Sequence, residues 1–475
     1  MSGNYSIWKK IDWVIILVYL FMVFAGWLNI YSSVYNEEHK SIFDMSQRYG
    51  KQMIWIICAF FMAVLIIATD SKVFVTFSYL IFGFFIFLLF VVLFLGAEVN
   101  GSKSWFLFGS FGFQPSEFAK FGTSLALAKL VSTYNFSFKD SKSRLNILIL
   151  ILIPVLLIFL QHDTGSAIVY MVFLLPMFRE GLSGLILFFL FLVGLIFILS
   201  LVLNPAIFIL VLIFLAFLAY YLIKKKWNNI LTGLIVFVSF TALITLFYII
   251  FKGTPLDFYY ILLRSSIISS VILLFLAIYK RIPQAPLVIS IFLISVLLSF
   301  TVDFTFHNIL KPHHQDRINN LLGIESDPLG AGYNVNQSKI AIGSGGFLGK
   351  GFLKGTQTKY DFVPEQSTDF IFCTVGEEWG FVGTAVIVLA FVFMLYRIVK
   401  LAERQKSTFS RFYGYSVASI IFFHFAVNIG MTIGLAPVIG IPLPFFSYGG
   451  SSLWFFTILL FVLLSLDRSR FEQLR

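Results

Sequence analysis

The chain has 475 residues, of which 59% are hydrophobic and only 12% are charged. Soluble domains carry about 25% charged residues, so this composition excludes a soluble protein and indicates a polytopic membrane protein. The net charge of +11 does not indicate nucleic-acid binding, because no basic stretch alternates with aromatic residues on a polar face. The two cysteines, Cys58 and Cys373, lie in or beside apolar runs and predict neither a disulfide framework nor a metal cluster.

Apolar segments that could cross the roughly 30 Å hydrocarbon core recur along the chain. They lie near 11–32, 52–69, 74–96, 117–134, 146–160, 164–179, 184–203, 205–223, 229–251, 261–279, 285–305, 379–399, 412–433 and 451–466. We therefore predict an all-α polytopic helical bundle with about fourteen transmembrane helices. The first run follows Lys9 and Lys10 and is too long for a signal-peptide core, so we expect an uncleaved first helix.

Basic residues concentrate in alternate loops, which predicts the orientation of the chain. Cytoplasmic loops of membrane proteins accumulate Lys and Arg, so we expect both termini in the cytoplasm and the loops 97–116, 307–377 and 435–449 on the outer face. The residues assigned to the cytoplasm are Lys139, Lys142, Arg144, Arg179, Lys224, Lys225, Lys226, Lys280, Arg281, Lys400, Arg404, Lys406, Arg411, Arg468, Arg470 and Arg475.

The stretch 307–377 is a long polar interruption that contains nine of the 33 glycines, between Gly323 and Gly355. A connection of this length is either functional or disordered, and its aromatic and aliphatic content argues against disorder. It is not a nucleotide-binding loop, because Ser344 and Gly351 stand where that motif requires Gly and Ser/Thr. We expect the glycines to allow close backbone packing or a turn.

Asp369 is the first candidate catalytic residue, because it directly precedes the point where the chain becomes apolar again. Partial desolvation raises the pKa of a carboxyl group and suits it to take a proton from an alcohol. Glu365, Glu377 and Glu378 are close in sequence, and one of them is the alternative candidate for organising the loop through hydrogen bonds. Basic residues of the loop could bind a phosphate-bearing substrate, although each alone is more simply a solvated charge; they are Lys311, Arg317, Lys339 and Lys350.

The loop after the third apolar segment leads into a helix that carries charged residues. Ser116 is a candidate N-cap, and Glu117 would be favourable at the positive helix end, which is the structural alternative to substrate binding. Lys120 follows one turn later, where a lysine at membrane depth usually faces a polar cavity or extends to the interface. Trp105 fits an interfacial belt residue or a ligand contact.

Two further polar interruptions could border the same cavity. Asp163 is interpreted either as the cap of the following helix or as a carboxylate at the outer mouth of a cavity. The segment 434–452 is broken by Pro and Gly at membrane depth, which is tolerated only where protein or a water-filled cavity satisfies the backbone. Ser447 in this segment is a candidate substrate contact.

These blocks together resemble the SEDS (shape, elongation, division, sporulation) family. The matching blocks are Gly112–Lys120, Asp163–Ala167, Asp327–Gly355, Pro364–Phe372 with Gly376-Glu377-Glu378, Asn428-Ile429-Gly430 and Pro442–Ser451. The elements Gly349-Lys350-Gly351 and Gly355-Thr356-Gln357 are similar to those of its elongation branch. The resemblance implies a peptidoglycan glycosyltransferase that polymerises lipid II at the outer face of the bacterial cytoplasmic (inner) membrane, with a class B penicillin-binding protein as partner.

Family residues carry over to this sequence position by position. The resemblance implies that Asp369 is the essential catalytic aspartate and that Lys120, Asp163 and Trp105 occupy functional positions; Glu117, Lys339, Glu365 and Ser447 complete the expected substrate-binding set. His162 departs from the family pattern beside Asp163. Members typically have ten helices, so we expect four inserted ones in this division: 1–203 with seven helices, 204–306 inserted, 307–377 the catalytic loop, and 378–475 with the last three helices.

The chemistry requires a base and a stabiliser for the charge that develops on a leaving lipid diphosphate. Asp369 is the proposed base and Lys120 the proposed stabiliser. The sequence establishes no cofactor, and a divalent cation (Mg²⁺ or Mn²⁺) bound by carboxylates is left open. Two other interpretations fit a chain with many helices and buried charges: a transporter or flippase of a lipid-linked precursor, and a non-catalytic scaffold.

Overall fold

A computed structural model describes residues 11–35, 41–99, 101–109, 111–225, 227–252, 257–310, 315, 318–319, 332–359 and 362–470. The candidate phosphate-binding residues Lys311 and Arg317 lie outside these ranges, as does the start of the matching block Asp327–Gly355, residues 327–331. Internal contacts divide the chain into two units. Unit 1 consists of residues 1–183 and 327–475, and unit 2 consists of residues 184–326.

Unit 1 is a helical bundle in which several helices begin at an Asp side chain. Asp12, Asp70, Asp140 and Asp163 each accept a hydrogen bond from a backbone N–H of the first turn, which satisfies one of the free donors at a helix start. Its helices are α1 Trp13–Ser33, α2 Arg48–Ala68, α3 Ser71–Thr76, α4 Ser78–Leu95, α5 Pro115–Val131, α6 Ser141–Leu160, α7 Thr164–Val169, a 3₁₀ turn Tyr170–Phe173, α8 Leu174–Arg179, α14 Tyr333–Ser344, α15 Thr356–Lys359, α16 Ile371–Glu403, α17 Thr408–Thr432 and α18 Gly450–Ser469.

The described part of unit 2 has five long helices, which pack through apolar side chains and a few hydroxyl groups. They are α9 Gly184–Val202, α10 Pro205–Lys224, α11 Trp227–Lys252, α12 Phe258–Tyr279 and α13 Ala285–Asn308. Ser200 of α9 and Ser299 of α13 are within hydrogen-bonding distance at 3.1 Å. Unit 2 begins at Gly184, one helix before residue 204, where the predicted insertion begins. That 204–306 is an insertion relative to the family stays a prediction.

Twelve described helices are long and apolar enough to cross a membrane. Of the two remaining predicted segments, one forms α5, which has 17 residues and is almost entirely buried. The other, 164–179, is divided by the 3₁₀ turn. The mainly helical membrane fold is therefore confirmed, but the exact number of fourteen spans is not.

One feature of unit 1 is absent from the sequence prediction. The loop after α4 folds into a three-stranded antiparallel sheet, β1 Ala97–Val99, β2 Ser102–Phe108 and β3 Phe111–Phe113, in the order β1-β2-β3. The sheet ends directly before α5, so it fixes where that helix begins. The N-cap residue of α5 is Gln114, with Pro115 in the first turn, and the predicted N-cap at Ser116 is wrong by two residues.

Among the membrane-spanning candidates of unit 1, α17 and α18 are the most buried. Ion pairs join the ends of the helices away from the sheet: Arg179 with Glu403 at 2.7 Å, and Arg411 with Glu180 at 2.6 Å. These residues belong to loops that the sequence assigns to the cytoplasm. Their positive charges therefore also fasten neighbouring helices.

Candidate functional site

Asp369 lies at the end of the segment 362–370, immediately before α16. Its backbone carbonyl accepts a hydrogen bond of 2.8 Å from Asn428 Nδ2 on α17. Its carboxylate lies against Gly440, because a Cβ atom at Gly440 would be 3.4 Å from Asp369 Oδ2. Asp369 is therefore fixed on its backbone side and faces the Pro/Gly-rich segment 433–449, which we call the broken segment.

Two more contacts fasten the segment 362–370 to the broken segment. Ser447 Oγ donates to the carbonyl of Thr368 at 2.6 Å and accepts from the N–H of Leu443 at 2.9 Å. The backbone N–H of Tyr448 donates to the carbonyl of Ser367 at 2.9 Å. Ser447 was predicted as a substrate contact, but it is buried. Its hydroxyl group bonds to Thr368 of the segment 362–370 and to Leu443 of the broken segment. Its predicted role in substrate binding is untested.

The pKa of Asp369 is raised to about 7, first because burial disfavours the charged form and second because the Glu365 carboxylate is near. Asp369 is only partly exposed, and protein atoms surround its carboxylate on most sides. A carboxyl group with this pKa is ionised in part at neutral pH and is also basic enough to accept a proton from a hydroxyl group.

A cation that the sequence analysis missed lies beside this segment. Arg48, the first residue of α2, hydrogen-bonds Ser367 Oγ at 2.5 Å and is 3.9 Å from a carboxylate oxygen of Glu365. Its guanidinium group also lies 5.8 Å from the centre of the Tyr448 ring. The side chain is 45% exposed, so a ligand can reach it. The available signal was an arginine at the start of α2, on the side that the charge pattern assigns to the outer face, where Lys and Arg are scarce.

Lys120 is fully buried and forms a charged cluster inside unit 1. Its ammonium group is 2.8 Å from Glu117 Oε1, 3.3 Å from His424 Nε2 and 5.0 Å from the centre of the Phe455 ring. Since an ammonium group can only donate, His424 Nε2 accepts and Nδ1 carries the proton. Nδ1 donates this proton to the carbonyl oxygen of Pro442, and the two heavy atoms are 3.3 Å apart. Lys120 is thereby linked to the broken segment that borders Asp369.

Two residues of α17 therefore bring Lys120 and Asp369 to one loop. His424 and Asn428 are four residues apart and lie on the same face of the helix. His424 contacts Pro442, and Asn428 Nδ2 donates to the carbonyl of Ile441 at 2.7 Å as well as to Asp369. Their polarity within an apolar helix was a signal that the sequence analysis did not use for the site.

Asp163 caps α7, as one of the two interpretations of the sequence required. Its Oδ1 accepts from the N–H of Ser166 at 3.0 Å, and its Oδ2 accepts from Gln114 Nε2 at 2.9 Å. Next to it, a Cβ atom at Gly165 would overlap the carbonyl oxygen of Ile439 in the broken segment. Asp163 thus joins the start of α5 to α7 at the border of the same loop, and a contact with substrate is untested.

The remaining predicted substrate-binding residues are Trp105, Lys339 and Glu365. Trp105 is half-buried in β2, paired with Ala97, and its ring packs on Gly112. Lys339 is an exposed residue of α14 whose side chain lies against Gly434 at the start of the broken segment. Glu365 has a positive φ of 52° and accepts a hydrogen bond from Thr368 Oγ1 at 2.9 Å.

Glu377 is the carboxylate that organises the large loop. Its Oε1 accepts from Lys350 Nζ at 2.6 Å and from the N–H groups of Thr356 and Gln357 at 2.7 and 2.9 Å, and its Oε2 accepts from the N–H of Thr358 at 2.9 Å. This arrangement places a negative charge at the start of α15. Lys350 is therefore paired with Glu377 inside the protein.

The glycines of the large loop allow close backbone packing, as the sequence predicted. Gly380, at φ +63° and ψ −156°, interrupts the helical geometry of α16. The backbone N–H groups of Lys350 and Gly351 donate to the carbonyls of Glu377 and Glu378 at 3.0 and 2.9 Å. A Cβ atom at Gly349 would overlap the Glu378 carbonyl. The loop thus satisfies carbonyl groups that the interruption leaves without helical partners.

The described residues include no group of three or more His, Cys, Asp or Glu side chains that could bind a metal ion. The carboxylates nearest Asp369 do not supply a preformed ligand set for Mg²⁺ or Mn²⁺, which prefer several oxygen ligands. The divalent cation left open by the sequence stays an untested prediction.

Comparison with known proteins places the chain in a family. Residues 12–207 and 196–472 match the model of a family described as cell cycle protein and named for FtsW, RodA and SpoVE. The chain belongs to this family. It is 33% identical over 459 residues to the peptidoglycan glycosyltransferase RodA of Treponema pallidum (strain Nichols), which covers 96% of this chain and 97% of that relative.

Other members of the FtsW/RodA/SpoVE family match shorter stretches. The peptidoglycan glycosyltransferase MrdB of Escherichia coli (strain K12) is 44% identical over 158 residues, 33% of this chain and 43% of that protein. Among solved structures, a chain of a peptidoglycan synthase complex that coordinates polymerisation and crosslinking superposes with a TM-score of 0.60 at 23% identity, covering 97% of this chain and 99% of that one. The rod shape determining protein RodA of Thermus thermophilus gives 0.55 at 21% identity, covering 97% and 98%. The expected resemblance to this family and its elongation branch is confirmed.

Proposed function

We propose that this protein is a peptidoglycan glycosyltransferase that polymerises lipid II and uses Asp369 as its general base. The observation that carries the assignment of the base is the position of Asp369. Asp369 is a partly exposed carboxyl group with a pKa raised to about 7, and its backbone is fixed by Asn428. The family relatives named above are glycosyltransferases, which favours this interpretation over a transporter.

The reaction joins two lipid-linked glycans. A sugar hydroxyl of one substrate attacks the anomeric carbon of the other, forming a C–O bond while the bond from that carbon to the lipid diphosphate breaks. Asp369 takes the hydroxyl proton during the attack and releases it to water afterwards. The diphosphate is a good leaving group, so the site needs one base and a stabiliser of negative charge.

Two cations could provide that stabilisation, and their environments differ. Arg48 is partly exposed beside Ser367 and Glu365 and presents several N–H donors in a geometry that suits phosphate oxygens. Lys120 is buried in its pair with Glu117. We therefore propose Arg48 as the direct contact of the leaving diphosphate, and Lys120 as a charge that acts at the site through His424 and the broken segment.

The proposal extends to location and partner. The alternation of basic loops supports cytoplasmic termini and an active site on the outer face of the bacterial inner membrane. Ser447 of the broken segment donates to Thr368 of the large loop, and Ser451, at the start of α18, donates to Gly112 of β3. These contacts are expected of loops on the same face. A class B penicillin-binding protein is the proposed partner, because a structural neighbour belongs to a complex that polymerises and crosslinks.

The test is polymerisation of lipid II by the purified protein in detergent, with and without a class B penicillin-binding protein, followed by gel analysis of the glycan strands. We expect polymer from the wild type and none from Asp369→Asn. The matched control is Glu98→Gln, which removes an exposed carboxylate from β1 and should leave polymer yield unchanged. Strands of normal length and yield from Asp369→Asn would refute the assignment of the base.

Detergent removes any gradient, so the same gel separates an enzyme from a transporter. A flippase that required other enzymes for polymerisation would give no strands in any variant. Arg48→Ala should reduce kcat/KM at least about tenfold, as expected for loss of a charge-assisted hydrogen bond, and Arg48→Lys should recover only part of it. Equal rates for all three forms would exclude the proposed contact with the diphosphate.

A further inference from the structure

Unit 2 encloses a cavity that the proposed reaction does not use. It has a volume of about 180 Å³ and lies among α10, α11, α12 and α13. Its walls are mainly apolar, with Phe217, Gly233, Leu273 and Phe292 each coming from a different helix. A cavity with such walls fits a hydrocarbon chain better than water, which needs several polar partners.

The hydroxyl groups on the wall do not change this character. Ser269 and Ser270 line the cavity, and both hydroxyls donate to carbonyls four residues earlier in α12, those of Ser265 and Ser266. Because these two donors are satisfied within the helix, the α12 side of the wall offers little hydrogen-bond donation to a guest. The wall therefore selects a guest by shape and apolar surface.

One end of the cavity is positively charged. Lys280 lines it and is exposed, and Arg281 follows. On α10, Tyr220 lines the same end, and Lys224 lies one helical turn beyond it, followed by Lys225.

The acidic residues of unit 2 lie at its other end. Within the described part of the unit, these are Asp257, at the start of α12, and Asp303, in the last turns of α13. Among the described residues of unit 2, no carboxylate lies at the Lys280 rim, so this rim complements an anionic group.

The cavity also has the depth of one membrane leaflet. Along α12, Lys280 and Ser269 are separated by eleven residues, or about 16 Å at 1.5 Å per residue. Half of a hydrocarbon core of roughly 30 Å is about 15 Å. A lipid whose phosphate contacted Lys280 would therefore extend its acyl chain along the whole length of the cavity.

We propose that unit 2 binds an anionic phospholipid, with one acyl chain in the cavity and its phosphate at Lys280 and Lys224. Basic pockets between transmembrane helices on the cytoplasmic side bind anionic lipid head groups, and the charge pattern assigns this rim to that side. The polymerisation substrate is expected at the opposite face, so the occupant is a membrane phospholipid. This proposal does not depend on the glycosyltransferase reaction.

The test is native mass spectrometry of the full-length protein, titrated with phosphatidylglycerol or phosphatidylcholine. We expect the wild type to retain phosphatidylglycerol preferentially, and Lys280→Ala to weaken that retention about fivefold, the effect of one lysine near an anionic lipid surface. Lys139→Ala removes an exposed lysine of unit 1 and should change nothing. Equal retention of the two lipids by the wild type would overturn the proposal.

Two substitutions test the cavity separately from the charge. Ala277→Phe and Ser270→Leu add volume to its wall while Lys280 stays in place, and each should lower phosphatidylglycerol retention to the level of phosphatidylcholine. A thermal unfolding temperature equal to that of the wild type confirms that the variants are folded. Unchanged retention in both folded variants would mean that the head group binds without the cavity and would overturn the proposal. Displacement of phosphatidylglycerol by an equal concentration of a polyprenyl diphosphate would also overturn it.

Discussion

The raised pKa of Asp369 predicts how the polymerisation rate depends on pH. With a pKa of about 7, the carboxylate form makes up about one eleventh of the protein at pH 6 and about ten elevenths at pH 8. Since only the ionised form can act as a base, kcat/KM should rise about tenfold over this range. An aspartate with an ordinary pKa near 4 would already be ionised at pH 6 and would give a flat profile.

Glu365 provides an internal test of the cause. Its negative charge contributes to the raised pKa of Asp369, so Glu365→Gln should lower that pKa and move the rise in rate to lower pH. Burial is the larger cause, and Glu365 is 47% exposed, so the shift should be small, below about one pH unit because solvent screens the interaction. The assay is the initial rate of lipid II polymerisation between pH 5.5 and 8.5. A flat wild-type profile, or a midpoint that Glu365→Gln moves to higher pH, would refute the reasoning.

The Asp369→Asn variant should lose about 10²- to 10⁴-fold in rate at pH 8, where wild-type Asp369 is ionised, without losing stability. The sign follows from the pKa values: a carboxyl group whose pKa is higher in the folded state destabilises that state once the unfolded chain ionises. The cost is absent below about pH 4, grows up to about pH 7, and amounts to at most about 4 kcal/mol above that. Thermal unfolding of Asp369→Asn at pH 8 should therefore occur at a temperature equal to or above that of the wild type. A lower unfolding temperature would mean that the activity loss reflects damage to the fold.

Three further predictions concern the structure around the site. Lys120→Met leaves Glu117 charged and buried, so it should lower the free energy of unfolding by about 3–5 kcal/mol. The double variant with Glu117→Gln should restore the unfolding temperature. Restored polymerisation in the double variant would contradict a functional role for the ammonium group. Asn428→Ala leaves two buried carbonyls without their donor and should cost about 1–3 kcal/mol for each, measured by thermal unfolding together with a fall in rate. Gly380→Ala, at a backbone conformation restricted to glycine, should cost at least about 1–3 kcal/mol, whereas Gly343→Ala, with open space around it, should be neutral in the same measurement.

The positions of most helices could be predicted from the lengths of the apolar segments. A helix satisfies its backbone hydrogen bonds within one segment, which lipid requires. Every predicted apolar segment coincides with a helix or, at 164–179, with helical pieces. The sheet at 97–113 was missed because its strands are short and mostly half-buried or exposed, so no alternation of apolar and polar residues marks them. The structure, rather than the sequence, also separates α9 from the helices that precede it.

The sequence predicts a site residue where its local context is distinctive. It does not predict contacts between residues that are far apart in the chain. Asp369 was identified from its place at an apolar boundary. Arg48 lies more than 300 positions earlier in the chain, and nothing local connects it to Ser367. Glu377 was one of three neighbouring carboxylates, and only the folded loop shows that it accepts the N–H groups at the start of α15.

The broken segment explains why Lys120 and Asp369 belong to one arrangement although no direct contact joins them. A chain interrupted by Pro and Gly inside a membrane protein leaves carbonyl groups that lipid cannot satisfy. In this protein the partners of the carbonyls at Pro442 and Ile441 are His424 and Asn428, and the same two side chains contact Lys120 and the backbone of Asp369. The contacts that make the interruption tolerable are therefore the contacts that position the proposed base. It follows that polymerisation and folding should be affected together by changes in α17, whereas a change at the Asp369 carboxylate alone should separate them.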